Sequence, residues 1–397
     1  MSEHLTCDVL VVGLGPGGST AARFAAEAGA RVIAIDKRAE IGTPVQCAEA
    51  VSEGILAHLG LSAPKDRWIT WKVAHVRLVS PSNIVVNLDD ERVSKMKFGY
   101  VLDRKVFDKD LATMAADAGA ELRLKTRFVS GERLEGGLVR AHARHFGQDV
   151  VIDAKVIIAA DGVASRVGPY FGVKTVVPLK HMESCVQYEM TNVSLDGAIE
   201  FYFGKDVAPG GYVWVFPKGE SKANVGIGII PSLTDRHAKD YLDAFLASDR
   251  MKGARVVEIN AGGVPVCRPL KETFADNLLL VGDAARVVNP LTGGGIATAI
   301  ESGKYAGMAA AKAVAEGRTD RAALAAYQDE WQASFGKRLE LFYKAQQVLT
   351  SMSDAELDDA ATALGKCGFE SISELELLKA VAKTNMKLLL KFRTFLT

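Results

Sequence analysis

A glycine-rich turn near the start of the chain constrains the fold more than any other feature. It occupies residues 13–18 (GLGPGG), after the apolar run at 8–12 and before the alanine-rich stretch at 19–28. This order predicts a strand, a tight turn and a helix, which open a dinucleotide-binding βαβ unit. The first N–H groups of such a helix meet a pyrophosphate. Gly13 permits the tight turn, Gly15 lets the backbone approach the pyrophosphate, and Gly18 lets the helix pack on the strand. The cofactor-binding residues predicted in this turn are Gly13, Gly15, Pro16, Gly17 and Gly18.

An acidic residue follows the second predicted strand. Residues 31–36 (RVIAID) form that strand, and Asp36 ends it. Its carboxylate can accept a hydrogen bond from a ribose 2′-hydroxyl and would repel a 2′-phosphate, which argues against NADP in this site. We place Asp36 and the adjacent Lys37 in the cofactor-binding set.

Two later segments distinguish FAD from a nicotinamide dinucleotide. Residues 159–162 (AADG) and 280–285 (LVGDAA) each close an apolar run, and glycines fill 293–295. A ribityl chain needs a hydrogen-bond acceptor such as Asp283, and a helix beginning at 293–296 can stabilise negative charge on a reduced flavin. We therefore predict FAD. The binding residues predicted here are Asp161, Gly162, Gly282, Asp283, Gly294, Gly295 and Ile296.

Composition excludes several function classes. Lys+Arg and Asp+Glu both number 48, so no basic field is available to bind nucleic acid. The cysteines lack a CxxC pair, which argues against a metal site; they are Cys7, Cys47, Cys185, Cys267 and Cys367. No run approaches the roughly 18 apolar residues of a membrane span. We expect a cytoplasmic protein, or one that is bound to a membrane only at its surface.

The secondary-structure pattern predicts an α/β protein with three parts. A discontinuous, Rossmann-like FAD-binding domain is predicted from residues 1–67, 101–176 and 263–320. A β-sheet substrate domain is inserted into it and comprises residues 68–100 and 177–262. Residues 321–397 are predicted as a helical C-terminal region.

The motifs resemble a known family. The GxGxxG, DG and GD motifs are those of the flavoprotein hydroxylase superfamily, and within it the chain resembles the geranylgeranyl reductase family, which includes archaeal digeranylgeranylglycerophospholipid reductases. Four stretches carry this resemblance: 36–47 (DKRAEIGTPVQC), 104–108 (RKVFD), 210–228 (GGYVWVFPKGESKANVGIG, like the YxWxFP…GxG signature) and 282–295 (GDAARVVNPLTGGG).

The resemblance implies roles for further residues. It places Cys47 beside the isoalloxazine and Arg104 on the flavin nucleotide, and it extends the cofactor-binding set to Cys47, Ala48, Ala50, Arg104 and Phe128. The implied catalytic residues are Cys47, Tyr212 and Trp214, and the implied substrate-binding residues are Tyr212, Trp214, Phe216, Gly226 and Gly228. Where family members read CGEG, this chain has alanine at 48 and 50, which restricts the backbone.

The implied activity is FAD-dependent saturation of isolated C=C bonds in geranylgeranyl chains of a membrane ether phospholipid. Hydride transfer to such an alkene also requires a proton, for which Cys47, Tyr212 and a bound water are candidates. The sequence does not identify the electron donor, for which a ferredoxin and a reduced nicotinamide are both candidates. Alternatives are an FAD monooxygenase, a reductase of chlorophyll or menaquinone side chains, and a non-catalytic prenyl-binding escort.

Three features admit a functional and a structural interpretation. Cys47 is either a thiol that faces substrate or a small buried hydrophobe. The aromatic side chains at 212, 214 and 216 share one face of a strand, which either lines a prenyl channel or forms core. Lysines at 383, 387 and 391 lie in an apolar tail, which either meets a membrane or docks on the protein.

Overall fold

The computed structural model describes residues 3–52, 66–89 and 99–366, and the chain divides into two compact units. The first comprises Met1–Thr43, Arg104–Val177 and Pro265–Glu340; the second comprises Pro44–Asp103, Pro178–Val264 and Leu341–Thr397. This division differs from the boundaries in the sequence analysis. Residues 44–67 and 101–103 belong to the second unit. The predicted C-terminal region is divided, with residues 321–340 in the first unit and 341–397 in the second.

Twenty strands are present in the described part of the chain. They are β1 (Glu3–Thr6), β2 (Val9–Val12), β3 (Val32–Ile35), β4 (Ala50–Ser52), β5 (Ile69–Lys72), β6 (His75–Val79), β7 (Val85–Asp89), β8 (Gly99–Leu102), β9 (Glu121–Arg123), β10 (Thr126–Arg133), β11 (Val139–His145), β12 (Gln148–Ala154), β13 (Val156–Ala159), β14 (Met182–Thr191), β15 (Ile199–Tyr202), β16 (Tyr212–Pro217), β17 (Ala223–Ile229), β18 (Arg255–Pro265), β19 (Phe274–Ala275) and β20 (Leu278–Leu280).

The α-helices described are α1 (Pro16–Glu27), α2 (Arg104–Asp117), α3 (Val167–Tyr170), α4 (Ala238–Leu246), α5 (Ile296–Ala315), α6 (Arg321–Leu324), α7 (Ala326–Trp331), α8 (Lys337–Ser351) and α9 (Asp354–Lys366). A π-helical turn, Gln332–Gly336, joins α7 to α8. The helix predicted from the stretch at 19–28 is present as α1, and the helix predicted to begin at 293–296 is present as α5, which begins at Ile296.

A six-stranded sheet in the order β19-β20-β13-β2-β3-β9 forms the centre of the first unit. Strands β20, β13, β2, β3 and β9 are parallel, and only β19 runs antiparallel at the edge. The four residues of β2, of β3 and of β13 are all buried, as expected for parallel strands covered on both faces. A separate four-stranded sheet, β1-β12-β11-β10, completes the unit.

Glycines bring two helices of the first unit into close contact. A Cβ atom on Gly303 or on Gly307 of α5 would overlap the backbone of α1, at the carbonyls of Gly17 and Ala21 respectively. A Cβ on Gly17 would lie 3.0 Å from the carbonyl oxygen of Ala299. The glycine turn therefore starts a helix that packs directly on α5.

A seven-stranded sheet in the order β18-β14-β17-β16-β15-β6-β7 forms the second unit. One face packs on α4 through apolar side chains that include Val213, Val225, Ile227 and Leu242. The opposite face carries a second cluster that includes Trp214, Phe216, Val86 and Leu364, the last of these from α9. A three-stranded sheet, β4-β8-β5, also belongs to this unit.

The predicted architecture, an α/β FAD-binding domain with a β-sheet substrate domain, is confirmed. Among the described residues, no helix combines the length and the apolar character needed to cross a bilayer. Cys367 and the lysine-bearing tail at 383–391 lie outside the described residues.

Candidate active site

Four neighbouring parallel strands of the first unit end at the predicted cofactor segments. Gly13 follows β2, Asp36 follows β3, Asp161 lies two residues past β13, and Asp283 lies three residues past β20. The carboxyl ends of parallel strands lie at one edge of the sheet, where open α/β sheets bind their ligands. The fold thus gathers segments that are far apart in the sequence.

The glycine turn is shaped for close approach of a ligand. Gly13 has φ +101°, and a Cβ there would overlap the carbonyl of Ala160. A Cβ on Gly18 would meet the Ala160 side chain at 3.0 Å. By contrast, a Cβ on Gly15 would have no atom within 4 Å, so that backbone faces open space. This arrangement fits the pyrophosphate of a dinucleotide.

Asp36 is buried and accepts hydrogen bonds from a backbone N–H group and from an arginine side chain. Its Oδ2 accepts from the Leu14 N–H at 2.8 Å, which ties it to the glycine turn. The Arg38 guanidinium donates to both carboxylate oxygens, at 2.7 and 2.9 Å. Burial opposes ionisation, but these hydrogen bonds and the Arg38 charge hold the pKa of Asp36 below its usual range. Lys37, predicted beside it, is exposed.

The DG motif carries a buried acceptor that no described residue satisfies. Oδ2 of Asp161 accepts from the N–H groups of Arg166 and Val167, at 2.6 and 3.1 Å. Its Oδ1 is buried and accepts no hydrogen bond from any described residue. A buried acceptor is costly unless it is satisfied, so a ligand hydroxyl beside the glycine turn fits this atom.

Asp283 presents a second acceptor at the same sheet edge. Burial of the carboxyl raises the pKa of Asp283 to about 6, although the positive charge of Arg104 opposes the rise. Gly295 lies close by, because a Cβ on it would sit 3.4 Å from Asp283 Oδ1. Gly295 is also the N-cap of α5 and has no side-chain cap, so N–H groups at this helix start can serve a ligand.

The structure places Arg104 and Phe128 in other contacts. Arg104 donates two hydrogen bonds to Asp108 on α2, at 2.7 and 2.8 Å, besides its effect on Asp283. Phe128 lies on β10 and packs edge-on against Tyr170, with ring centroids 5.7 Å apart. The cofactor-binding roles of both side chains stay predictions.

The second unit gathers the YxWxFP…GxG residues on one sheet face. Gly226 on β17 lies between Gln187 on β14 and Trp214 on β16. Gly228 lies in the next row between Cys185 and Tyr212. The two glycines leave a strip without side chains along the middle strand of the three. Trp214 and Phe216 on this face are 6% and 3% exposed and belong to the hydrophobic cluster there.

Each glycine of the GxG pair makes room for a specific side chain. A Cβ on Gly226 would lie 2.6 Å from Cε2 of Trp214. A Cβ on Gly228 would lie 2.8 Å from Oε2 of Glu183. The glycines of the signature are thus required by the indole and by a carboxyl that sequence analysis did not single out.

Side chains of the sheet hold the loop that carries Cys47. Nδ2 of Asn224 donates to the Cys47 carbonyl at 2.9 Å, and Nε2 of Gln187 donates to the Val45 carbonyl at 2.8 Å. Lys218 forms an ion pair with Glu49 at 2.8 Å. The loop backbone is therefore fixed on both sides of the cysteine.

The alanines at 48 and 50 fit this loop without strain. The left-handed conformation falls on Glu49, with φ +73°, and neither alanine requires it. The restriction expected from replacing the family's glycines is therefore wrong for this chain, because the residue that needs conformational freedom is the acid between them. Cys47, Ala48 and Ala50 all lie in the second unit.

Three proton-bearing side chains lie together on the GxG face: Glu183, which is buried, and Cys185 and Tyr212, which are half-buried. Burial raises the pKa of Glu183 to about 8. Burial also holds the pKa of Cys185 and of Tyr212 well above their usual ranges, and a charge on Glu183 or Cys47 would raise both further. Cys47 thus acts electrostatically on the same cluster.

Sequence reasoning missed Arg38, Glu183, Gln187 and Asn224. The one available signal for Glu183 is the alternation of side-chain direction in a strand-like segment, counted at residues 183, 185 and 187. That alternation places them on one face but does not show which face is buried.

Comparisons with known proteins agree with this geometry. The geranylgeranyl reductase catalytic domain matches residues 181–264, and an FAD binding domain matches residues 8–73. Digeranylgeranylglycerophospholipid reductase 2 of Methanosphaera stadtmanae is 45% identical and aligns over 97% of this chain and 98% of its own length. The digeranylgeranylglycerophospholipid reductase of Methanoculleus marisnigri is 44% identical, over 97% of each chain.

A solved structure extends the similarity to the fold. The geranylgeranyl bacteriochlorophyll reductase-like protein of Thermoplasma acidophilum superposes with a TM-score of 0.92 at 37% identity, covering 99% of this chain and 100% of that one. The predicted FAD cofactor and oxidoreductase class are confirmed. The chain therefore belongs to the digeranylgeranylglycerophospholipid reductase family of FAD-dependent oxidoreductases.

Proposed function

We propose that this chain uses reduced FAD to saturate isolated C=C bonds in the geranylgeranyl chains of an ether phospholipid. The observation that carries the proposal is the glycine strip at Gly226 and Gly228, flanked by Trp214 and Tyr212 within the matched catalytic domain. The names of the full-length relatives supply the substrate class.

When bound, reduced FAD supplies a hydride. The backbone at Gly15 would receive the pyrophosphate, and Asp161 Oδ1, a buried oxygen with no donor among the described residues, would accept a hydrogen bond from a hydroxyl. Asp283 would accept another. The uncapped start of α5 directs N–H groups at negative charge. We retain Cys47, Ala48, Ala50, Arg104 and Phe128 as proposed flavin contacts from the family resemblance.

We place the substrate's alkene beside the Trp214 indole and the Glu183 carboxyl, which cover Gly226 and Gly228. An isolated trisubstituted alkene has no carbonyl to withdraw electrons, so cationic character develops as it accepts a proton. The aromatic rings of Trp214 and Tyr212, whose centroids are 6.1 Å apart, stabilise that charge. Burial of this face keeps water from the reacting carbons.

We further propose that the enzyme meets its lipid at the surface of a membrane and receives electrons from a ferredoxin or a reduced nicotinamide. The chain has one GxGxxG motif, in the site assigned to FAD, so an external donor is needed. Sedimentation with vesicles of the substrate lipid tests the membrane proposal: the protein should pellet with vesicles and stay in the supernatant without them.

Anaerobic reoxidation of the chemically reduced flavoprotein tests the function. We expect a geranylgeranyl ether phospholipid to reoxidise the flavin, and the saturated lipid to be inert. Menaquinone and geranylgeranylated chlorophyll serve as competing substrates. Faster reoxidation by either would assign the chain to that side-chain reduction, and a preparation without flavin would favour a prenyl-binding escort.

A further inference from the structure

We propose that Glu183 is the acid that delivers the proton to the substrate's alkene, which makes it a catalytic residue of the reaction proposed above. This inference rests on the proposed function, because it assigns a group to the proton that the reduction needs. Glu183 is not among the candidate proton donors predicted from the sequence, which are Cys47, Tyr212 and a bound water.

The position of Glu183 points to a ligand. The residue lies on β14 and is 7% exposed. No residue described in the structure donates a hydrogen bond to its carboxyl or forms an ion pair with it. A Cβ on Gly228 would approach Oε2 to 2.8 Å, and one on Gly211 would lie 3.5 Å from Oε1. The carboxyl therefore projects over Gly228, beside the place proposed for the alkene.

A buried carboxyl without a partner is expensive to keep, so its retention requires a reason. Ionised carboxylates are buried with cations or several donors, whereas a neutral acid can occupy an apolar site at much lower cost. A role in proton transfer explains this carboxyl, because acids with shifted pKa values cluster at catalytic sites. The pKa of Glu183, raised to about 8 by burial, keeps the carboxyl protonated at neutral pH.

The neighbouring groups are weaker acids. The titratable groups that face Glu183 are Cys185 on its own strand and Tyr212 on β16, and the pKa of each is held well above its ordinary value. Cys47 acts on both from the loop. On the other adjacent strands, β17 presents Gly228, and β18 places Gly263 beside the Glu183 carbonyl. Glu183 is therefore the group that yields a proton before Tyr212 or Cys185 does.

The step balances in atoms and electrons. The O–H bond of the Glu183 carboxyl breaks as a C–H bond forms at one alkene carbon. The hydride supplied by reduced FAD forms the second C–H bond at the other carbon, so the alkene is reduced and the flavin oxidised. The resulting Glu183 carboxylate regains a proton from solvent, and its high proton affinity favours that return.

The test compares Glu183→Gln and Glu183→Asp with wild type in anaerobic reoxidation of the reduced flavin by the geranylgeranyl lipid, from pH 6 to 10. Glu220→Gln, in an exposed turn of the same unit, is the control. FAD content is measured first in every variant. The wild-type rate should be level below about pH 8 and fall above it, because the neutral acid is the active form.

We expect Glu183→Gln to be slower by about 10²–10⁴-fold, the usual contribution of a general acid, and to lose the alkaline decline. Glu183→Asp should keep a pH-dependent rate, and Glu220→Gln should match wild type. A Glu183→Gln rate within threefold of wild type, with the same decline, overturns the inference. If neither Glu183 variant binds FAD, a wild-type rate that is constant to pH 10 overturns it. A wild type that the lipid does not reoxidise contradicts the proposed function instead.

Discussion

Trp214 donates its indole N–H to Oδ1 of Asn224 at 2.9 Å, and Asn224 donates onward to the carbonyl of Cys47. The aromatic signature and the cysteine loop, distant in the sequence, are therefore joined by one buried amide. Trp214 and Asn224 are almost fully enclosed, at 6% and 2% exposure.

Replacing that amide should release the loop. Asn224→Leu has a similar volume but leaves the Trp214 N–H without an acceptor, so we expect a loss of about 1–3 kcal/mol in the free energy of unfolding. Urea denaturation measures it, with Asn87→Ala at an exposed position of β7 as the control. Turnover should fall as well, because Cys47 loses its support. A variant as stable and as active as wild type would show that the link is dispensable.

The second glycine of the GxG pair should be intolerant of a side chain. Gly228→Ala introduces a methyl group where Glu183 Oε2 would be 2.8 Å away, so the carboxyl must move. We expect turnover to collapse while FAD content stays at the wild-type level, because Gly228 is not among the proposed FAD contacts. Gly365→Ala, which meets no atom within 4 Å, is the matched control. Full activity in Gly228→Ala would show that the position of the Glu183 carboxyl does not matter for turnover.

Burial of Glu183 should also make the free energy of unfolding depend on pH. Its pKa rises on folding from 4.5 to about 8, so the folded state binds this proton more tightly. The stabilisation is complete below about pH 4.5 and is lost as pH rises through about 8. Glu183→Gln should thus match wild type near pH 5 and exceed it by a few kcal/mol near pH 9. Chemical denaturation at both values checks this, and equal stability at pH 9 would mean that the carboxyl is solvated.

Asp283 should serve the cofactor rather than the fold. Because its carboxyl is enclosed and its pKa is raised to about 6, Asp283→Ala should not lower the stability of the FAD-free protein. Loss of a charge-assisted hydrogen bond of about 1.5–3 kcal/mol should weaken FAD binding by roughly 10–100-fold. Titration of FAD into both FAD-free proteins provides the affinities. Unchanged affinity would exclude the predicted contact.

Cys47 substitutions separate chemistry from packing. Cys47→Ser keeps size and a proton, whereas Cys47→Ala removes both. With Glu183 as the acid, we expect Cys47→Ala to retain FAD and to slow flavin reoxidation by less than the 10²–10⁴-fold typical of a general acid. Single-turnover kinetics measure this. A loss of about 10²–10⁴-fold in both variants would instead identify the Cys47 thiol as the proton donor.

Local sequence patterns are sufficient to predict which residues lie at the edge of the sheet that binds the cofactor. Gly13, Asp36, Asp161 and Asp283 each follow an apolar run, and a strand followed by a turn is recognisable within about ten residues. Because the carboxyl ends of parallel strands lie at one edge of a sheet, these four residues are predicted to lie at the same edge. Fold class and cofactor therefore follow from short stretches of sequence.

The proton-bearing face depends on long-range register, which the sequence does not display. Glu183 lies near Gly228 only because β14 pairs with β17 so that Cys185 opposes that glycine. A shift of one residue would turn the whole row to the other face. Membership of residues 44–52 in the second unit likewise depends on contacts with Gln187 and Asn224, far along the chain.

Mass spectrometry of the lipid product, with a count of electrons consumed, tests the central claim most directly. The purified flavoprotein is incubated without oxygen with a geranylgeranyl ether phospholipid and a titrated chemical reductant. The account predicts a mass gain of two hydrogens for each double bond lost, with two electrons consumed per bond. A product that forms only with oxygen and gains one oxygen atom would contradict it and identify the chain as a monooxygenase.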